Sequence, residues 1–398
     1  MTNQTRMTND EWMIRSSFVL RHSLVLRAWS FVILSAFVAS FPATLHADTW
    51  PVFRGNAQGD GVAAGPLAAK LDVLWKRMFK NAAFTGTAAI VDGVVYVGGL
   101  DGYFRALNLA DGSDRWQFHS ELGFEGPAAV RDGRVYVGDA DGLVECLDAS
   151  TGKRLWNFET EGEINAGANF YKADVLLGSQ DGTLYALNAD SGKLHWKYTI
   201  ENMIQCSPTV IENRVFLAGC DGKLHVIDCD TGMAAATVEI GDPTGSTAAA
   251  LDSRVFFGTQ GGKFLCIDWQ AAKELWSYEP RRKSPIQSSA AIARLGAKDC
   301  RIIFGGRDRR VHALDAANGN ESWDFATKQN VDSSPVVVGD RVYVGTGDGR
   351  LVALAVATGE QLWDYEAGGG FTASPAVAQG CLVIGNDDGT LYCFGGKP

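Results

Sequence analysis

The sequence predicts an all-β protein, an eight-bladed β-propeller of four-stranded antiparallel blades that is closed by pairing its N- and C-terminal segments in one blade. Three observations predict this fold: a recurring tryptophan, an Asp-Gly turn with the same period, and incomplete units at the two ends that complement each other.

A tryptophan recurs roughly every 40 residues from residue 75 onwards. The series is Trp75, Trp116, Trp156, Trp196, Trp276, Trp323 and Trp363. The step from Trp196 to Trp276 spans two periods, and Ala236 stands where the missing tryptophan is expected. A small four-stranded sheet cannot bury both faces alone, so we expect these indoles to pack between neighbouring blades.

An Asp-Gly turn follows the same period. It occurs at Asp101-Gly102, Asp141-Gly142, Asp181-Gly182, Asp221-Gly222, Asp348-Gly349 and Asp388-Gly389, and Gly261-Gly262 and Asp308-Arg309 complete the series. Between the markers, a unit such as Gly126 to Phe158 contains four short β-branched or aromatic runs separated by turn residues. Both markers therefore count eight four-stranded units.

The two ends of the repeat region make up one blade. The segment Leu71 to Phe79 has a tryptophan strand without three preceding strands, whereas Thr372 to Phe394 has three strands without a tryptophan strand. Pairing them removes an open sheet edge that would otherwise invite aggregation. We therefore predict that the propeller spans 71–398. An N-terminal lead-in segment over 48–70 precedes it, and a signal peptide over 1–47, argued next, comes before that.

The N-terminus has the pattern of an export signal. Arg15, Arg21 and Arg27 precede an apolar run from Ala28 to Phe41, and a cleavage site follows Ala47. This pattern predicts a protein of the periplasm or cell envelope. Retention of the leader as an uncleaved anchor is the one membrane association we expect.

Composition excludes some partners. The net charge is -10, so phosphate-rich partners such as nucleic acid are not expected, and we expect a monomer. The eight cysteines form no CxxC motif, and Cys146, Cys266 and Cys393 occupy a repeat position that is alanine in other blades. They are interpreted as small buried apolar residues. A single disulfide among the others remains open; these are Cys206, Cys220, Cys229, Cys300 and Cys381.

A mostly polar position begins each first strand, and first strands line the axis of a propeller. The eight residues are Thr85, Glu125, Asn165, Gln205, Gly245, Gln287, Asp332 and Thr372. We expect them to surround the mouth of the central channel, and we take Glu125, Asn165, Gln205, Gln287 and Asp332 as candidate cofactor-binding residues. Oxygen ligands of this kind suit a hard cation such as calcium. The alternative is that they face channel water.

A second candidate site is basic. Arg281, Arg282 and Lys283 lie on the link into the sixth blade, and Arg307, Arg309 and Arg310 lie in the second-to-third strand turn of that blade. Both segments belong on the same face, so the six cations predict a site for a carboxylate, a phosphate or an acidic partner segment. The alternative is a set of solvated loop charges. The sequence contains no catalytic motif, and we predict no catalytic residue and no metal site.

The repeat resembles the pyrroloquinoline-quinone (PQQ) type propeller repeat. The residues that carry the resemblance are LYALNADSGKLHW (Leu184 to Trp196) and LVECLDASTGKRLW (Leu143 to Trp156), and TWPVFRGNAQGDGV (Thr49 to Val62) is similar to the start of secreted bacterial PQQ-like repeat proteins. The resemblance covers about four-fifths of the chain and implies the fold far more specifically than a function.

Three functions are compatible with this resemblance. The first is a non-catalytic binding or scaffold propeller whose loop face holds a protein or a small ligand, without a cofactor. The second is a PQQ- and calcium-dependent dehydrogenase, although the insertions and adjacent cysteines of quinoprotein dehydrogenases are missing here. The third is a scaffold of outer-membrane β-barrel assembly, although the lipid-anchoring N-terminal cysteine of that propeller subunit is missing.

Overall fold

A computed structural model describes residues 48–296 and 299–397, so the predicted signal peptide lies outside the described residues. The short runs between turn residues form strands because β-branched and aromatic side chains fit a pleated, half-buried surface. The first strand along the chain, β1 (Asp72–Met78), belongs to blade eight. Blades one to four then consist, four strands each, of β2 (Ala89–Val91), β3 (Val94–Gly98), β4 (Tyr103–Asn108), β5 (Asp114–His119), β6 (Ala129–Arg131), β7 (Arg134–Gly138), β8 (Leu143–Asp148), β9 (Arg154–Glu159), β10 (Asn169–Tyr171), β11 (Asp174–Gly178), β12 (Thr183–Asn188), β13 (Leu194–Thr199), β14 (Thr209–Ile211), β15 (Arg214–Ala218), β16 (Lys223–Asp228) and β17 (Ala234–Glu239).

The second half of the chain continues in the same way. Its strands are β18 (Ala249–Leu251), β19 (Arg254–Gly258), β20 (Phe264–Asp268), β21 (Lys273–Tyr278), β22 (Ala291–Arg294), β23 (Cys300–Gly306), β24 (Arg310–Asp315), β25 (Glu321–Ala326), β26 (Val336–Val338), β27 (Arg341–Gly345), β28 (Arg350–Ala355), β29 (Gln361–Glu366), β30 (Ala376–Ala378), β31 (Cys381–Gly385) and β32 (Thr390–Gly395). Each successive set of four strands from β2 to β29 forms one antiparallel sheet, and β1 forms the eighth sheet with β30, β31 and β32. This confirms the predicted eight-bladed propeller.

Blade eight closes the ring as predicted. Its sheet has the order β1-β32-β31-β30, so the first strand of the chain pairs with the last one. Trp75 of β1 lies opposite Cys393 of β32 in an antiparallel register. Blade eight therefore has all four strands, and its outermost strand is β1.

The blade tryptophans join each blade to the next. In every tryptophan-bearing blade the indole pairs across strands with a small residue, as Trp196 does with Ala186, and a register shift precedes it. The indole nitrogen then donates a hydrogen bond to a backbone carbonyl of the following blade. For Trp196 this acceptor is the Cys229 oxygen at 2.8 Å, and for Trp363 it is the Leu71 oxygen at 3.2 Å across the closure.

Blade four replaces the missing tryptophan by a different arrangement. Ala236 pairs with Val226, so the larger side chain now stands on the inner partner strand. Trp269 of blade five packs against the same core cluster as Ala236, and its ring lies 5.4 Å from the Phe216 ring of blade four. The interblade contact is therefore kept although its residues come from other positions.

Residues 48–62, called the strap below, cross the end of the channel opposite the second-to-third strand turns. Backbone hydrogen bonds connect the strap to the inner strands of several blades: Trp50 bonds to Ile90, Pro51 to Val130, Ala57 to Val210, Gln58 to Ala250, Asp60 to Ile292, and Gly61 to Val337. The strap therefore contacts blades one, two, four, five, six and seven and closes that end of the channel.

The cysteines are structural. All eight have free thiols within the described residues, and seven of them are buried. Burial raises the pKa of the Cys146, Cys206 and Cys266 thiols to about 12, so these thiols stay protonated at neutral pH. For Cys146 and Cys266 this agrees with their interpretation as small apolar residues. The disulfide left open among Cys206, Cys220, Cys229, Cys300 and Cys381 is not formed, since all five have free thiols.

Candidate functional site

The eight polar positions predicted from the repeat lie around one cavity at the open end of the channel, which we call the mouth cavity. Its volume is about 410 Å³. The positions Thr85, Glu125, Asn165, Gln205, Gly245, Gln287, Asp332 and Thr372, which we call the rim, all line it. Each of them lies in the link before a blade, four residues ahead of the inner strand, as Thr85 lies ahead of β2, and not in the strand itself as the sequence indicated. They come together because this spacing is the same in all eight blades.

A second circle of side chains lies two residues deeper in the cavity. It contains Thr87, Ser207, Thr247, Ser289, Ser334 and Ser374, which we call the hydroxyl ring. In this ring a hydroxyl accepts the backbone N–H of the preceding blade. The Ser207 N–H donates to Thr247 at 2.9 Å, and the Thr247 N–H donates to Ser289 at 3.0 Å. Each such hydroxyl still has its own O–H to donate.

The strap forms the floor of the mouth cavity. Phe53 lines the cavity on the side of blades two to four, where its Cβ approaches Gly167. Arg54 lies on the other side, and its Nη2 donates to the carbonyl oxygens of Ala290 at 2.9 Å and Pro335 at 2.5 Å. These two residues directly follow Ser289 and Ser334 of the hydroxyl ring.

Arg54 is fully buried, and its Nε and Nη1 atoms have no hydrogen-bond partner. Burial lowers the pKa of this guanidinium to about 9, since desolvation disfavours the charged form, while the nearby Asp60 opposes that shift. Arg54 is buried behind the floor and does not itself line the cavity, so its contribution there is a positive charge and not a hydrogen-bond donor.

The rim is acidic. It contains Glu125 and Asp332, and the neighbouring Arg307, outside the rim, is already engaged with it: its guanidinium donates to Asp332 at 2.9 Å and to Gln287 at 2.7 Å. Asp387 accepts a hydrogen bond from the Thr372 hydroxyl at 3.1 Å, and burial raises the pKa of this carboxyl. Glu125 is exposed at the mouth.

The structure divides the predicted basic cluster. Arg307 points to the mouth cavity, Arg310 forms an ion pair with Asp324, and Arg309 is exposed in the turn. Arg310 also lines, together with Arg281 and Arg282, a separate cleft of about 290 Å³ between blades five and six. The six cations therefore do not form one patch, and Lys283 is exposed beside the cleft.

This cleft contains a buried histidine between acidic residues. His312 lies 3.0 Å from Asp308 through Nε2 and 3.2 Å from Glu321 through Nδ1, and Glu321 also accepts a hydrogen bond from the Tyr278 hydroxyl. Carboxylates thus balance the arginines at the entrance of the cleft.

The residues of the rim fit a quinone with calcium poorly. The proposed oxygen donors Glu125 and Asn165 come from blades two and three, whereas Asp332 lies across the ring on blade seven. In residues 48–296 and 299–397 no group of three or more His, Cys, Asp or Glu side chains is arranged to hold a metal ion. PQQ carries several carboxylates, and the acidic rim offers them a single arginine that already binds Asp332.

Sequence reasoning missed the strap as part of the site. Phe53 and Arg54 lie outside the repeat, so the 40-residue period assigns them no position. The hydroxyl ring was available from the sequence, since serine or threonine recurs two residues after most rim positions. In the described part of the chain no helix is long and apolar enough to span a membrane.

Comparisons with known proteins agree with this architecture. BamB from Moraxella catarrhalis superposes with a TM-score of 0.70 at 20% identity, covering 82% of this chain and 98% of its own. Quinohemoprotein alcohol dehydrogenase from Comamonas testosteroni gives a TM-score of 0.75 at 17% identity, covering 88% of this chain and 81% of its own. The computationally designed Ika8 protein gives a TM-score of 0.70 at 19% identity, covering 81% of this chain and 98% of its own.

At these identities the superpositions establish the fold alone. No curated protein matches the sequence. A family model described as outer membrane protein assembly factor BamB matches residues 68–172, 140–299 and 307–397, and the PQQ-like resemblance of the repeat is thereby confirmed. The matches span well over half of the chain, and the protein therefore belongs to this PQQ-like propeller family.

Proposed function

We propose that this protein is an exported, non-catalytic binding propeller of the periplasm or cell envelope, and that it uses its loop face to hold a protein or a small ligand. The observation that carries the proposal is the mouth cavity, to which all eight blades contribute a rim residue. In residues 48–296 and 299–397 the blades follow one another through short links, without an inserted domain. Binding sites in such folds are concave and combine a few polar groups with an apolar wall.

Filling the mouth cavity tests this proposal without removing a side chain. Gly245 is the one glycine of the rim, and a Cβ added there meets only Gln205, at 3.3 Å or more. Gly245→Trp should therefore fold and block the mouth. Gly296→Trp is the matched control, because a Cβ at Gly296, in the β22–β23 turn, meets no atom within 4 Å.

The measurement is affinity capture on the immobilised full chain, using cell-envelope extract and a library of small polar compounds. A partner retained by the wild type and by Gly296→Trp, but lost from Gly245→Trp, supports the proposal. Equal capture by all three proteins contradicts it.

Outer-membrane protein assembly is a second candidate. It is favoured by the family description and by the match over 98% of the Moraxella catarrhalis BamB chain. The exposed Arg281, Arg282 and Lys283 then offer an acidic partner segment a contact beside the interblade cleft. In the same capture assay, Arg281→Glu with Arg282→Glu should release such a partner while Gly245→Trp retains it.

A further inference from the structure

We propose that the mouth cavity binds a small zwitterion, with the ligand carboxylate on the floor over Ser289 and Ser334 and the ligand ammonium among the rim carboxylates. The inference rests on the proposed binding role of the mouth and names the chemical class of its ligand.

The floor supplies donors to an anion. Ser289 and Ser334 accept backbone N–H groups, at 3.0 Å from Thr247 and at 2.9 Å from Ser289, and line the cavity with an O–H left to donate. Arg54 is held against the two residues that follow them and has unpartnered Nε and Nη1 atoms. The two hydroxyls are the donors in the cavity, and the buried Arg54 behind them adds a positive charge, which favours a carboxylate over a neutral or cationic group.

The rim supplies acceptors to a cation. Glu125 and Asp332 line the upper cavity, Asp387 adjoins it through Thr372, and the Arg307 guanidinium is hydrogen-bonded to Asp332 and Gln287. The rim is therefore net negative. It repels a ligand that is purely anionic and attracts an ammonium group.

The separation of the two levels sets the ligand length. Rim and hydroxyl-ring residues are two positions apart on the same inner segment, as Asp332 and Ser334 are, which corresponds to about 6–7 Å of extended chain. A ligand with several methylene groups between its carboxylate and its ammonium spans this distance, with its methylenes beside Phe53. A 410 Å³ cavity holds such a molecule together with water.

The test is calorimetric titration of the purified protein with 6-aminohexanoate, and with hexanoate and hexylamine as probes that each lack one charge. We expect 6-aminohexanoate to bind at least about tenfold more tightly than either probe. Glu125→Gln should weaken 6-aminohexanoate about tenfold, whereas it should not weaken hexanoate, since the lost carboxylate repels an anion. Glu121→Gln, in the same β5–β6 link but away from the cavity, should change neither.

The floor is tested separately. Ser334→Ala should weaken both 6-aminohexanoate and hexanoate, and its unfolding curve shows whether the blade contact survives. Equal binding of the three probes, or wild-type affinity in Glu125→Gln, overturns the inference. If none binds while Gly245→Trp still loses a captured partner, the zwitterion is wrong and the binding role stands. If Gly245→Trp also behaves as wild type, both fail.

Discussion

At the scale of single residues, the blade tryptophans constrain the turn of the next blade. Gly192, in the turn between β12 and β13, has a φ of +69°, and a Cβ added to it lies 2.7 Å from the Trp156 ring. Gly133 has nearly the same φ, +71°, but a Cβ there meets no atom within 4 Å. The blade that follows the tryptophan-free blade four instead has Ala272 at this turn position, with a φ of +50°. The glycine is thus dispensable where the indole is missing.

We predict that Gly192→Ala destabilises the protein more than Gly133→Ala does. Both variants carry the strain of a left-handed residue, about 1–2 kcal/mol, but only Gly192→Ala adds overpacking against Trp156, about 1–3 kcal/mol. Chemical denaturation of the two variants measures the difference. In a Trp156→Ala background the difference should disappear, and a difference that persists there would contradict the role given to the indole.

At the scale of elements, the strap is a non-repeating segment that is fitted to the repeats. Asp60 helps to shape it: its carboxylate accepts hydrogen bonds from the Asn56 side chain at 2.7 Å and from the Val62 N–H at 2.9 Å. Burial raises the pKa of this carboxyl above its ordinary value of 3.8, against the opposing effects of these hydrogen bonds and of Arg54. The strap therefore contains a carboxyl group whose charge opposes folding.

We predict that the stability of the wild type relative to Asp60→Asn falls as pH rises from about 4 towards neutrality. The folded state binds the Asp60 proton more tightly than the unfolded state does, so stability is lost as pH rises through the raised folded pKa. The amide variant does not titrate. Unfolding free energies of both proteins measured across this range give the difference, and Asp132→Asn, at a turn position whose side chain is 80% exposed, is the control. A difference independent of pH would refute the prediction.

At the scale of the whole molecule, closure depends on one strand pair. β32 lies between β1 and β31 in blade eight, so its loss leaves β1 without a partner strand, reduces the rest of the blade to β30 and β31, and opens the ring. The closing blade also packs against blades one and seven in one core cluster, which includes Trp75, Val95 and Tyr343.

We therefore predict that deletion of residues 390–398 abolishes folding, whereas deletion of residues 396–398, which follow β32, does not. The measurements are circular dichroism in the aromatic region and the cooperativity of thermal unfolding. A cooperative transition retained by the larger deletion would mean that closure is not required for the fold.

The repeat made the ring predictable because the same contacts recur in each blade. Periodicity alone places Trp196 at the same position as the other blade tryptophans, and Asn165 and Asp332 at equivalent rim positions, and it predicted the closure by β1. The other features could not be predicted, because they depend on contacts that occur once and do not recur from blade to blade. Arg307 turns to the mouth because Asp332 and Gln287 accept its hydrogen bonds, and Trp269 replaces a tryptophan from another blade. The path of the strap depends on single hydrogen bonds to many blades.

That path also determines how the protein responds to mechanical force. A pull on the chain from its N-terminal side reaches Asp48 first, whose carboxylate accepts the Gln379 N–H at 2.7 Å, and then Trp50, bonded to Ile90. Because the later strap residues are bonded to blades on the far side of the axis, tension is spread over the ring before it reaches β1. The strap therefore bears part of the load and protects the β1–β32 pair from being pulled apart.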